Sequence, residues 1–293
     1  MVATIVTEGR EEPEENMLLL HRFYIWLYIK TFEFFIMQTR LMNGFDIIDV
    51  NFDFTTDTKG YWEVLKDKDL SLGGGVIDPD CNSRTLRTYH RALWSRELPN
   101  GEFMQLDDSG SISSTYLTWK GHRFGSDSIM HTIRYPEMHK IVKEYLSRYD
   151  DPRGFMESCI RTGYTIGGMI IFPKHRNSMN QDRGVNQRIR DRWDRTLECI
   201  RRYYAGEDSP LYRICERDVW FYDLFVDFKG YVDFFFLQDC VSKDYSEVYS
   251  WMGDGMDDPP LPKDVETYSM WLDNNLEFVR KRNERIEKFV NRY

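Results

Sequence analysis

Positive charge is in short supply. There are 39 Lys and Arg against 48 Asp and Glu, a net charge of −9 at pH 7. An acidic chain of this kind is neither a sequence-independent coat for nucleic acid nor an adhesive for anionic membranes. A local basic groove is still allowed. Cysteine is sparse as well: Cys81, Cys159, Cys199, Cys215 and Cys240 are scattered, odd in number and form no CxxC pair. That excludes a disulfide scaffold and a zinc ribbon, and it fits a reducing, cytoplasmic compartment. No long apolar run is free of charge. The most apolar stretch, 17–42, contains His21, Arg22, Lys30, Glu33 and Arg40, too many polar groups for an ordinary membrane span. It reads as an amphipathic helix over 17–43, buried or facing a protein partner or a second copy of the chain. Residues 1–16 carry Glu8, Glu11, Glu12, Glu14 and Glu15 and lack the basic lead of a secretory signal. They read as an acidic, mobile leader.

Catalytic and metal signatures are missing too. HExxH, an EF-hand loop and a GxSxG elbow are absent. Gly73, Gly74 and Gly75 are not followed by Lys-Ser/Thr, so they are a turn and not a phosphate loop. His122, His131 and His139 match no zinc spacing. No metal site is expected.

Rings, by contrast, are abundant: 19 Phe, 18 Tyr and 8 Trp, 15% of the chain. With 41% apolar and 30% charged residues, this is a folded globule with a large core. The pattern predicts an α+β fold: a mixed α/β half, 44–173, with a short sheet, packed against a mostly helical half, 174–293, as two lobes of one domain. Alternation over 45–54 predicts a strand. Ser83 predicts the cap of a helix over 84–96, with Leu86, Tyr89, Leu93 and Trp94 inward. Short strands are expected near 103–106, 114–119 and 129–135, and a helix over 137–148. The apolar run 164–173 reads as a buried strand ended by Pro173. Val185, Ile189, Trp193, Leu197, Ile200 and Tyr204 predict one continuous helix ending at Gly206. Further helices are expected over 210–228 and 231–242, separated at Gly230, and from 264 to near the C-terminus.

Against the acidic whole, one segment reverses sign. Residues 174–202 hold nine Lys and Arg against four acids, a local charge of +5. Eight of the nine are arginine, the side chain that grips phosphate or carboxylate with two prongs. On a helix with its apolar stripe inward, Arg183, Arg190, Arg192 and Arg201 become candidate ligands of an anion. Asp191 would pair with Arg195, and Glu198 with Arg201 or Arg202. The same pattern also suits a salt-bridged helix face. His90 is a candidate general base, with Arg87, Tyr89 and Trp94 beside it in sequence. Ser126, Asp127 and Ser128 form a small-polar run suited to a turn or to a ribose. The catalytic candidates are therefore His90, Asp127 and Glu198. The binding candidates are Arg87, Tyr89, Trp94, Ser126, Ser128, Arg183, Arg190, Arg192 and Arg201.

Several of these segments resemble an uncharacterised bacterial family, a domain of unknown function. The resembling stretches are 46–54 with Asp78-Pro79-Asp80, then TLRTYHRALWSRELPNG (85–101), RFGSDSI (123–129), YTIGGMIIFP (164–173) and NQDRGVNQRIRDRWDRTLECIRRYY (180–204). The resemblance implies that these segments belong to one structural unit. It brings no activity with it, and the helix 17–43 lies outside it. The Ser-Asp-Ser run is also faintly similar to the Ser-Thr-Ser of ADP-ribosyltransferases.

Two function classes fit these parts. One is an intracellular enzyme, such as a toxin or phage-defence effector acting on NAD, a nucleotide or RNA. The other is a non-catalytic binding or regulatory protein that uses the aromatic helices 210–242 as partner surfaces.

Overall fold

A computed structural model describes residues 47–72, 77–108, 116–130 and 134–292. The leader, the helix expected over 17–43 and the triple glycine lie outside these residues. The unit that runs from Ile47 to Arg292 is α+β, as the sequence predicts.

Its first part is built from turns and short helices. No strand forms over 47–54. Asp49 and Asp53 instead accept bonds from the backbone amides of Asn51 and Thr55, both at 2.9 Å. Such side-chain-to-backbone bonds fold an apolar/acidic alternation into turns before it can pair as a strand. Helix α1 (Tyr61–Leu65) follows, then α2 (Pro79–Asn82) and α3 (Arg84–Trp94). Asp78 caps α2 with Pro79 at its first position, and Ser83 caps α3 by accepting from the Leu86 amide. The α3 stripe of Leu86, Tyr89, Leu93 and Trp94 is buried as expected.

The sheet has four antiparallel strands in sequential order: β1 (Asp107–Asp108), β2 (Leu117–Trp119), β3 (His122–Ser128) and β4 (Met169–Pro173). Phe103 makes only an isolated bridge to Glu97. The described residues of 129–135 are not in a strand. The strand lies one segment earlier and takes in the Ser126–Ser128 run that the sequence suggested as a turn. In the β3–β4 register Gly125 faces Phe172, Ser126 faces Ile171 and Asp127 faces Ile170. All five residues of β4 are buried.

Helices α4 (His139–Leu146) and α5 (Pro152–Gly163) come between β3 and β4. The second of these was not anticipated, although Asp151-Pro152 is a cap followed by a first-turn proline. Beyond β4 the expected continuous helix is two: α6 (Met179–Val185) and α7 (Trp193–Tyr204). Between them Arg190 and Asp191 adopt φ of 50° and 57°, which no right-handed helix allows. Then come α8 (Tyr212–Arg217), α9 (Val219–Tyr222) and α10 (Phe228–Phe234). Gly230 lies inside α10, and the break falls at Val226 instead, at φ 69°. The long α11 (Val265–Val290) opens on a reciprocal cap between Asp264 and Thr267.

The rings of 221–236 are interior. Phe221, Tyr222, Phe225, Tyr231, Phe234 and Phe235 are all buried and pack edge-to-face or tilted on one another and on Trp94. Each buried ring contributes on the order of 2 kcal/mol. Most rings of these helices fill the core, while Tyr212 and Trp220 are only partly buried. No helix among the described residues is long and apolar enough to cross a membrane.

Candidate functional site

Alternation along β3 sends Ser126 to one face of the sheet and Asp127 to the other. On the Ser126 side, α3 brings up His90, which is buried. The Trp94 indole, which can only donate, bonds His90 Nδ1 at 2.9 Å. His90 Nε2 lies 2.9 Å from Ser126 Oγ. Burial first, and the Arg282 charge second, hold the ring neutral, with a pKa pushed down to about 3. With Nδ1 accepting, the single ring proton sits on Nε2 and is donated to Ser126 Oγ. In this arrangement His90 orients the serine and has no lone pair for deprotonating it. Tyr89 accepts the Asp49 amide at 3.0 Å while its ring packs on Phe54. Arg87 is half-buried on the same helix.

On the other face, Asp127 meets Arg183, which α6 carries into the interior. The Arg183 guanidinium donates to Asp127 Oδ2, to the Ser128 carbonyl and to the Asp191 carbonyl, each at 2.8 Å. Asp127 Oδ1 also accepts the Ser128 amide at 3.0 Å. Ser128 Oγ donates to the Met130 carbonyl. Despite Arg183, burial lifts Asp127 to about 6, with Asp191 and Asp78 adding in the same direction.

Helix α2 packs over this part of β3 and adds two carboxyls. Asp80 Oδ1 is buried and has no hydrogen-bond partner. Burial, followed by the charges of Asp78 and Asp127, raises Asp80 well above the usual carboxylate range. Asp78 is raised too, mainly by burial, although the residue as a whole is exposed. Asp78, Asp80 and Asp127 act on one another electrostatically, and Asp78 is the member of this carboxyl cluster that solvent reaches. Tyr164 Oη lies 3.5 Å from Asp78 Oδ1, and burial raises its phenol as well. Lys174 acts on both Asp78 and Asp80, and Arg183 acts on Asp80 more strongly. The Lys174 side chain makes no hydrogen bond or ion pair among the described residues.

The structure thus brings Ser126, Asp127, Ser128 and Arg183 together with His90 behind the strand. It adds Asp78, Asp80, Tyr164 and Lys174, which the sequence reading did not select. The legible signal was Asp78-Pro79-Asp80, a cap and first-turn proline placing two acids at a helix start. No spacing in the sequence points that helix at Asp127.

The arginine segment is arranged differently from expectation. Arg183 and Arg192 are buried and do not project from a helix face. Arg192 is paired with Asp194 and Asp254, and its five N–H groups all meet acceptors. Arg195 pairs with Asp254, not with Asp191, and also bonds the carbonyls of Gly255 and Asp258. Burial would raise Asp254, but these arginines hold it well below the usual range. Glu198 binds both Arg201 and Arg202, as the i,i+3 and i,i+4 spacings predict, and Arg201 also meets Glu207. Arg190 pairs with Glu137. Arg192, Arg195, Arg201 and Arg202 line a cavity of about 280 Å3 together with Asp194, Glu198 and Asp254, so its guanidiniums already face carboxylates. The network clamps the loop at 250–260 onto α7. Two buried arginines sharing Asp254 explain the arginine bias as internal polar structure.

Among the described residues no group of His, Cys, Asp or Glu side chains is placed to hold a metal. No curated protein and no solved structure matches the chain, and no similarity to ADP-ribosyltransferases is shown. A family model described as a family of unknown function (DUF6994) matches residues 48–286. The match contains every residue of the carboxyl cluster and extends the resemblance of 45–210 through the helical half.

Proposed function

The chain belongs to this family of unknown function, and from its carboxyl cluster we propose an enzyme that works by general acid–base catalysis on an anionic small molecule. The carrying observation is Asp80 Oδ1, a buried carboxyl oxygen without a hydrogen-bond partner, under the electrostatic influence of Asp78 and Asp127. A buried polar atom left unpaired costs roughly 1–3 kcal/mol, so it calls for an explanation. Two carboxyls whose surroundings set different protonation states are the working parts of acid–base catalysis. Asp127, lifted only to about 6, is ionised at neutral pH and serves as the base. Asp80, which burial raises well above the usual carboxylate range, serves as the acid. Lys174 offers the substrate a positive charge. Ser126 and Ser128 hold the strand edge, Arg183 fixes Asp127, and His90 fixes Ser126. The step is a transfer or hydrolysis: Asp127 takes the proton of the attacking hydroxyl, and Asp80 gives its proton to the leaving oxygen.

The test begins with thermal shifts of the full chain against NAD, mononucleotides, short RNA and phosphorylated sugars. Binding to the folded state raises the melting temperature by mass action. The best ligand is then assayed for turnover. Loss of turnover in Asp127→Asn and in Asp80→Asn, with folding intact, is the expected result. Full turnover in both variants would overturn the reading. A flat thermal response across the panel would favour the non-catalytic binding class.

A further inference from the structure

Next to the carboxyl cluster, at the start of β3 and the end of β4, lies a groove of about 350 Å3. His122, Arg123, Lys174, His175, Asp218 and Trp220 line it. Its composition is unlike the rest of this acidic chain. His122 is exposed and stacks on Trp220 with ring centroids 3.6 Å apart and planes 17° from parallel. Asp218 is buried and bonded by His175 Nε2, at 2.9 and 3.0 Å to its two oxygens. The other nitrogen of His175 faces the Arg176 carbonyl at 2.9 Å. Both ring nitrogens of His175 and both oxygens of Asp218 are therefore engaged within the protein. The other cations of the groove are Arg123 and Lys174, the latter also facing the charges of Asp78 and Asp80. Neither side chain has a hydrogen bond or ion pair among the described residues.

We propose that this groove binds a mononucleotide-type ligand, a planar heteroaromatic ring carrying a phosphate, with the phosphate on Arg123 and Lys174 and the ring against the His122–Trp220 stack. The proposal rests on the acid–base reading of the neighbouring carboxyl cluster and names its substrate class. Four observations support it. A groove of this volume is in the range of small-molecule sites. Two cations on paired backbone positions, neither in an ion pair, suit a phosphate. An exposed imidazole stacked on an indole offers a further ring a flat surface. Lys174 belongs to both places, since it lines the groove and acts on Asp78 and Asp80. A phosphate held there sits beside the carboxyl cluster. Gly125 is what lets the lysine stem lie across the strand, because a Cβ at that position would stand 3.1 Å from Lys174 Cδ. A longer nucleic acid is disfavoured by the overall charge of −9.

The experiment is calorimetric titration of the full chain with AMP, adenosine and inorganic phosphate, repeated with a short RNA. The expected order is AMP tighter than either half. His122→Ala, an exposed position that leaves the core intact, and Lys174→Ala should each weaken AMP binding about tenfold or more. Gly125→Ala should weaken it through displacement of the lysine. Four results would each overturn the proposal: no AMP binding, phosphate alone binding as tightly as AMP, AMP binding unchanged in His122→Ala and Lys174→Ala, or RNA binding far tighter than AMP. Asp127→Asn separates the two readings. If AMP binding survives in that variant and turnover does too, the groove stands and the acid–base assignment fails. If wild type does not bind AMP but turns over another anion in an Asp127-dependent way, the acid–base assignment stands and the groove assignment fails.

Discussion

At the scale of single residues, protonation carries the testable content. His90 is held neutral at about 3, far below the ordinary imidazole value. Its folded pKa is depressed, so the unfolded chain binds the proton more readily. Stability is therefore full above pH 6.5 and is lost as the pH falls towards 3, by up to about 1.4 kcal/mol per pH unit. Urea midpoints measured between pH 7.5 and 5 should fall for wild type, with a shallower fall for His90→Gln. Equal slopes would remove His90 as the acid-sensitive group. Asp127 makes a kinetic prediction of opposite use. As a base it must be ionised, so the rate should rise with pH through about 6. Asp80 as an acid must keep its proton, so the rate should fall again at higher pH, giving a bell. A pH–rate profile of Asp127→Asn that retains the rise near 6 would contradict the assignment. The identities of His90 and Asp127 were readable as candidates in the sequence. Their roles were not, because a ring's tautomer and a carboxyl's pKa depend on neighbours such as Trp94, Arg282 and Arg183, which are brought up from other elements.

At the scale of elements, caps and charges behave as local rules require, and breaks do not. Ser83, Asp151 and Asp264 each accept an amide at the start of a helix longer than two turns. Asp264→Ala should cost about 1 kcal/mol of stability by denaturant titration. Val226 is a break that no sequence signal announced. It is β-branched, exposed and at φ 69°, in a tight turn closed by the Asp227 amide on the Phe225 carbonyl at 2.8 Å. Such strain is held by packing on either side, here the rings of Phe225 and Phe228. Val226→Gly should therefore raise the melting temperature, by relief of about 1 kcal/mol net of glycine's added freedom in the unfolded chain. A lowered melting temperature would show that the turn is unstrained. The arginine network is the reverse case. Asp254→Asn leaves Arg192 and Arg195 short of a buried counter-charge and should destabilise by about 3–5 kcal/mol, visible as a large loss in urea midpoint. A loss below about 1 kcal/mol would return those arginines to the surface-pair class.

At the scale of the whole molecule, one residue ties the ends of the fold together. Arg282 of α11 is buried and donates to the carbonyls of Phe235, Gly167 and Met169, at 2.9, 2.8 and 2.7 Å. Gly167 permits the approach, since a Cβ there would stand 2.5 Å from the Val279 carbonyl. Arg282→Met should cost about 3 kcal/mol or more, because several buried carbonyls lose their donor at once. A melting curve close to wild type would show that water or repacking replaces it. The sequence by itself determined the α+β class, the buried β4, the capped α3 and α11, the Glu198 pairs and the interior fate of most rings. These rest on periodicity and on bonds between residues near each other in the chain, which are written locally. Only the tertiary structure decided that the arginines face inward to Asp194 and Asp254, that Ser126–Ser128 is strand and not turn, and that Asp80 is set over Asp127. Apart from Arg192 with its neighbour Asp194, those pairings join residues more than forty positions apart, and which acid meets which base at that separation is settled by the packing of whole elements, on which local pattern is silent.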